Sequence, residues 1–194
     1  ILLIGHAGHP EVEGTVGQVA DDEVTLIETV EDAETVCPPD GVALAFATQT
    51  TLSVDDTAAI ISVLQFRFPE IIGPRGEDIC YATTNRQKAV KDIAGQVDLM
   101  LVIGAENSSN SRRLVEVAKS AGASESVLIS DKNAIDWELV DKASRIGLSA
   151  GASAPELLVT EVVTALRERY DIEVNEFGHI RETINFKLPA ILAN

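Results

Sequence analysis

Between Gly5 and Thr15 the chain reads GHAGHPEVEGT, so two of its three histidines and two carboxylates fall within eight residues, directly after an apolar run. Such density admits two chemistries. His6, His9 and Glu11 together could ligate a metal; alternatively His9 could contact an anion while Glu11 serves as a proton donor. A zinc hydrolase is the weaker form of the first, because His6 and His9 lie on a glycine-rich stretch rather than on a regular helix. A second pattern recurs four times: an apolar run gives way to small hydroxyl or amide residues and then to a helix. These turns are ATQTTLS after Phe46, YATTN after Cys80, AENSSNS after Gly104 and AGASAP after Ser149. Backbone N–H groups at helix starts, with Ser, Thr and Asn beside them, suit an anion such as phosphate, although the same residues are also ordinary N-caps.

Something must hold these turns together, and the pattern of elements supplies it. Short apolar runs at Ile1–Gly5, Val24–Glu28, Val42–Ala47, Leu99–Gly104, Ser126–Ile129 and Arg145–Ser149 alternate with longer amphipathic stretches. That alternation predicts an α/β fold of parallel strands with covering helices. Helices are expected over about Ser53–Phe68, Thr84–Gln96 and Asn110–Ala121, with another from Pro155 onward and a short one near Ile135–Val140. In a parallel sheet the four hydroxyl turns would gather at the carboxyl ends of the strands, where ligands bind. Cys80 would face the same crevice, whereas Cys37 precedes Pro38 and Pro39 in an acidic loop; a buried, inert thiol is the expectation for both. The turn-rich stretch 68–78, FPEIIGPRGED, marks the division between two units.

Composition narrows the partners. The 194 residues carry 15 Lys and Arg against 31 Asp and Glu, a formal charge of −16. Twelve of those acids and no base precede Arg67, the first cation in the chain. Nucleic acid is excluded, because neutralising phosphates takes clustered cations. No apolar run approaches the roughly 18 residues of a membrane span. Two cysteines make no disulfide framework and point to a reducing compartment, the cytoplasm. Ile1 opens directly into an apolar strand, so the chain is expected to be a fragment of something longer.

Taken in order, GHAGHPEVEGT, TQTTLSVDDT, DICYATTNRQ, ENSSNSRRL and AGASAPE resemble the LytB-type 4-hydroxy-3-methylbut-2-enyl diphosphate reductases, from Ile1 to about Pro189. The resemblance implies an iron–sulfur enzyme of the non-mevalonate isoprenoid route. Such an enzyme removes an allylic hydroxyl to give isopentenyl and dimethylallyl diphosphate, with ferredoxin or flavodoxin as electron donor. It further implies a trefoil of three α/β modules around a [4Fe–4S] cluster. Two of them would be present here, each a small, mainly parallel sheet with flanking helices: a central module over 1–76 and a C-terminal module over 77–169, with a tail over 170–194 packing back on the protein. By position, Cys80 resembles the third of three cluster ligands, Glu11 the proton-passing acid and Thr50 its hydroxyl partner. His9, Thr83, Ser108, Ser109, Asn110 and Ser153 resemble the diphosphate cradle, with Asn85 and Ser111 as neighbours and His6 and Glu13 as support. The family's N-terminal module, with the other two cluster cysteines, is absent from this sequence, so the expectation is a chain without its cluster and inactive alone. The alternative is a non-catalytic module that binds a diphosphate or a sugar phosphate.

Overall fold

The computed structural model describes residues 1–20, 22–76, 78–177 and Pro189. Two three-stranded parallel sheets organise it. The first contains β1 (Leu2–Ile4), β2 (Thr25–Ile27) and β3 (Phe46–Thr48) in the order β2-β1-β3, with Leu2 in register with both Thr25 and Phe46. Its helices are α1 (Pro10–Val16), α2 (Val30–Thr35) and α3 (Val54–Arg67). The second sheet has β4 (Leu99–Ile103), β5 (Glu125–Ile129) and β6 (Ile146–Ala150) in the order β5-β4-β6. Around it lie α4 (Tyr81–Ala94), α5 (Ser109–Ser120), the short α6 (Trp137–Val140) and α7 (Glu156–Arg169). The expected α/β class with small parallel sheets and flanking helices is therefore the observed one.

The central strand β4 shows why the second sheet forms. All five of its residues are buried, and alternate side chains face opposite sides as strand geometry requires. Leu99, Leu101 and Ile103 pack with Val162 and Leu166 of α7 and with Ile135 and Val140. Met100 and Val102 pack the other way, against Leu114, Val117 and Ala118 of α5 and Val90 and Ala94 of α4. At the opposite end of the sheet, the Asp98 carboxylate accepts the backbone N–H groups of Ser144 and Arg145, which holds its pKa below the usual carboxylate value. In the first unit Leu2, Ile4, Ile27 and Phe46 pack against Ala33 of α2 and Ile60 and Leu64 of α3.

The segment expected to divide the units runs along the outer edge of β3. Ile72 bridges Ala45, Asp78 accepts the Thr48 N–H at 2.9 Å, and Ile79 joins the first core. That pairing covers an edge strand that would otherwise present free backbone groups. Two helices differ from the sequence expectation. α1 and α2 are only 7 and 6 residues long and bury one residue each, Val12 and Ala33, so neither displays a repeating apolar stripe. α2 is instead fixed by a reciprocal capping box between Thr29 and Asp32. Pro155 is the N-cap of α7 rather than its first helical residue.

Of the expected tail, residues 178–188 and 190–194 lie outside the described residues. Tyr170 and Ile172 pack against the second core, and the Arg169 guanidinium sits 4.8 Å over the Trp137 ring. Among the described residues no helix is long and apolar enough to cross a membrane. Because Leu101 is 1% exposed at the centre of the second sheet, Leu101→Ala should remove about 2–5 kcal/mol of stability, read as a lower urea midpoint with unchanged slope.

Candidate functional site

In each unit the first strand lies between the two later ones, so neighbouring strands send their chains to opposite faces. Such a switch point leaves a crevice at the carboxyl ends of the strands. In the second unit the crevice lies between the β4–α5 turn and the β6–α7 turn, whose helices cover opposite faces of the sheet. In the first it lies between the β1–α1 and β3–α3 turns. Three of the four hydroxyl turns, ATQTTLS, AENSSNS and AGASAP, occupy these positions together with GHAGHPEVEGT, whereas the fourth, YATTN, follows no strand and forms the start of α4.

The β1–α1 turn ends on His9, which caps α1: its Nδ1 accepts the Glu11 N–H at 3.2 Å, and Pro10 takes the first helical position. A neutral His9 ring therefore carries its proton on Nε2. Glu11 stands half-buried in the first turn of α1 and reaches across to the β3–α3 turn. Its Oε1 accepts the Thr50 N–H at 3.0 Å and its Oε2 the Thr50 hydroxyl at 3.1 Å. The carbonyl of Thr50 in turn accepts the N–H of Cys80 at 3.1 Å. Glu11, Thr50 and Cys80, drawn from three separate stretches of sequence, thus form one continuous string. Both cysteines are exposed and free, which corrects the expectation of buried thiols. No strand leads into Cys80; Ile79 takes the core position, and Cys80 turns outward as the N-cap of α4.

On the second unit's side, Ser108 caps α5, its Oγ accepting from the Ser111 N–H at 3.3 Å and bonding the Ser111 hydroxyl at 3.0 Å. The capping role is therefore the observed one for this residue. Ser109 bonds the Thr51 hydroxyl at 3.1 Å, joining the two units. Asn110 is 7% exposed, and neither its Oδ1 nor its Nδ2 has a partner among the described residues. A buried amide with four unused hydrogen-bonding positions is costly unless water or a polar ligand satisfies it. Thr83 is buried in the first turn of α4, and α4 and α7 both begin without a side-chain cap, which leaves backbone N–H groups open. Ser153 is exposed in the β6–α7 turn; it and His9 make no side-chain hydrogen bond to the rest of the expected cradle.

Three adjacent residues permit this close assembly. A Cβ at Gly104 would stand 2.1 Å from the Ser111 Oγ, and one at Gly151 would stand 2.2 Å from it. Ser111 therefore fills a notch between the ends of β4 and β6 that only glycine leaves open. The same Cβ position at Gly151 lies 3.7 Å from Asn110 Nδ2, so the β6–α7 turn borders the unpartnered amide.

Reading the sequence missed two residues. Gln49 is 1% exposed; its Oε1 accepts the His6 N–H at 3.0 Å and its Nε2 donates to Thr51 at 3.0 Å and to Ser109 at 3.4 Å. It was the one amide in a turn of hydroxyls, a signal that was present. Arg113 was not signalled at all: its Nη2 lies 2.9 Å from His6 Nε2, and its Nη1 lies 2.6 Å from Glu116 and 3.7 Å from Asp56. Arginine only donates, so His6 accepts at Nε2 and a neutral ring carries its proton on Nδ1, facing Glu28 at 3.8 Å. These engagements tell against the zinc reading, since the committed nitrogen of each histidine is the acceptor and the remaining one carries the proton rather than a lone pair for a metal. Among the described residues no group of three or more His, Cys, Asp or Glu is placed to hold a metal ion. Cys80 is the single thiol at the crevice and does not by itself fit an iron–sulfur cluster, which is ordinarily held by four ligands.

Comparison with known proteins bears on this arrangement. The LytB protein family matches residues 1–167. The 4-hydroxy-3-methylbut-2-enyl diphosphate reductase of Paracoccus denitrificans (strain Pd 1222) is 58% identical over 192 residues, covering 99% of this chain and 61% of that protein. The enzyme of the same name from Hyphomonas neptunium (strain ATCC 15444) is 58% identical over 193 residues, covering 100% of this chain and 61% of its own length. The solved E-1-hydroxy-2-methyl-but-2-enyl-4-diphosphate reductase from Plasmodium falciparum superposes with a TM-score of 0.90 at 33% identity, covering 98% of this chain and 60% of that one. The chain thus spans about 61% of the length of these curated relatives.

The buried Gln49 amide gives a direct test of how the turns are held. Gln49→Leu strands the His6 N–H and the Ser109 and Thr51 hydroxyls, and should cost about 1–3 kcal/mol. Urea unfolding followed by circular dichroism measures it, and an unchanged midpoint would remove Gln49 from this role.

Proposed function

Because this chain belongs to the LytB protein family, we propose that it forms the substrate-holding and proton-delivering part of a 4-hydroxy-3-methylbut-2-enyl diphosphate reductase. The reaction replaces an allylic C–OH bond with C–H, consuming two electrons and two protons and releasing water, and yields isopentenyl and dimethylallyl diphosphate. The observation that carries the proposal is the paired contact of Glu11 with Thr50 beside the unpartnered Asn110 cradle.

Hydroxide is a poor leaving group, so the departing oxygen has to be protonated as its bond to carbon breaks. Glu11 is the acid for that step. Its Oε2 lies 3.1 Å from a hydroxyl that both donates and accepts, so Thr50 can take the Glu11 proton and pass its own to the substrate oxygen. The Thr50 N–H on Oε1 fixes the carboxyl orientation, so the transfer requires no search of side-chain rotamers.

At the other end of the substrate, neutral donors hold the diphosphate. Asn110 offers its amide, His9 its Nε2–H, Ser108, Ser109, Thr83 and Ser153 their hydroxyls, and α4 and α7 their first N–H groups. Residues 1–76 and 77–169 would be two modules of a three-module trefoil. A [4Fe–4S] cluster and a ferredoxin or flavodoxin donor belong to the whole reductase, where Cys80 would give one thiolate. Two free thiols suit a reducing, cytoplasmic setting.

A non-catalytic reading needs less of the site: a diphosphate-binding unit needs the cradle but neither Glu11 nor Cys80. Glu11→Gln in the full-length protein separates the two. Turnover should fall by about 10²–10⁴-fold while substrate binding stays within a few-fold. A variant that keeps its turnover would refute the assigned acid. A wild-type protein that binds diphosphate without turnover would favour the binding unit.

A further inference from the structure

We propose that Arg86 is a positioning residue for the diphosphate, supplying from behind the β6–α7 turn the positive charge that the neutral cradle lacks; the inference rests on the reductase reading above. Arg86 follows Thr83 by three residues on α4, so the two share a helix face. Its Nη1 donates to the carbonyl of Ala150 at 2.9 Å, the last residue of β6. Its Nε is buried without a partner, and the side chain makes no ion pair among the described residues. Arg113, by contrast, has carboxylates of Asp56 and Glu116 around it.

A half-buried guanidinium with one carbonyl for company is an incomplete arrangement. An anion on the far side of the turn would balance its charge. Ala150 leads into Gly151, whose N–H is tied to the Ile103 carbonyl at 2.8 Å and whose Cβ position lies 3.7 Å from the unpartnered Asn110 amide. Arg86 therefore holds the end of β6 next to the cradle while leaving its charge unspent. Elsewhere the chain is strongly acidic, with a formal charge of −16, so a doubly charged ligand would otherwise meet repulsion.

Arg86→Gln removes the charge and leaves a shorter polar side chain; Arg86→Lys keeps the charge and removes the planar fork. In the full-length protein, titration calorimetry with inorganic diphosphate should show affinity weakened at least about tenfold by Gln and less than about threefold by Lys. For the allylic diphosphate substrate, Gln should raise KM with kcat within about threefold. Arg86→Met replaces Gln as the uncharged variant if the Gln protein does not fold. Equal losses in Gln and Lys, or diphosphate affinity within twofold of wild type in the uncharged variant, would overturn the proposal. Calorimetry needs no turnover, so the two readings fail separately. A protein without reductase activity that still shows this charge dependence loses the reductase reading and keeps Arg86. An active reductase indifferent to Arg86 does the reverse.

Discussion

Two parallel strands that lie side by side and send their chains to opposite faces leave a gap that neither connection can fill. Both units are built round one such gap, because in each the first strand of the chain order lies in the middle of the sheet. Everything at the site follows from that order. Glu11 and Thr50 leave β1 and β3 on either side of the first gap, and Asn110 and Ser153 leave β4 and β6 on either side of the second. The hydrogen bonds from Gln49 and Thr51 to Ser109 then bring the two gaps onto one surface.

Much of this was legible in the sequence, and for identifiable reasons. Fully buried parallel strands are continuous apolar runs, so β1 and β4 announced themselves, and the hydroxyl turns contained Ser53 and Ser108, which do act as caps. Other features had no local signature. α1 and α2 bury one side chain each and owe their existence to caps rather than to a stripe. The Arg113–His6 contact joins residues 107 apart in the chain, and no property of either neighbourhood announces it. Cys80 illustrates a third kind of difficulty: its apolar neighbours implied burial, but one of them, Ile79, fills the core alone and leaves the thiol outside.

Charge asymmetry has a structural use beyond solubility. The first unit has no cation before Arg67, and its acids at Asp55 and Asp56 stand where α3 begins, favourably placed at a helix N-terminus. Lys91 of α4 meets Asp55 at 2.7 Å and Arg113 of α5 approaches Asp56 at 3.7 Å. The second unit thus supplies the cations that the first lacks. Such exposed pairs contribute about 0–1 kcal/mol each, so they orient the two units more than they bind them. The buried amide of Gln87, bonded to the Leu52 carbonyl and the Val54 N–H, holds the same junction without screening by salt.

Ser111 also sets what a ligand at this edge can touch. Because its hydroxyl occupies the notch left by Gly104 and Gly151, α5 is countersunk into the edge of the sheet, its first turn level with the strand ends. A ligand resting on that edge meets peptide groups and the short side chains beside them, not the tips of long, mobile ones. The selectivity of such a surface is set by the backbone, whose dimensions do not change with rotamer. Tolerance for ligand shape would then be narrow on this side, and variation in what the protein accepts would have to arise from the opposite wall.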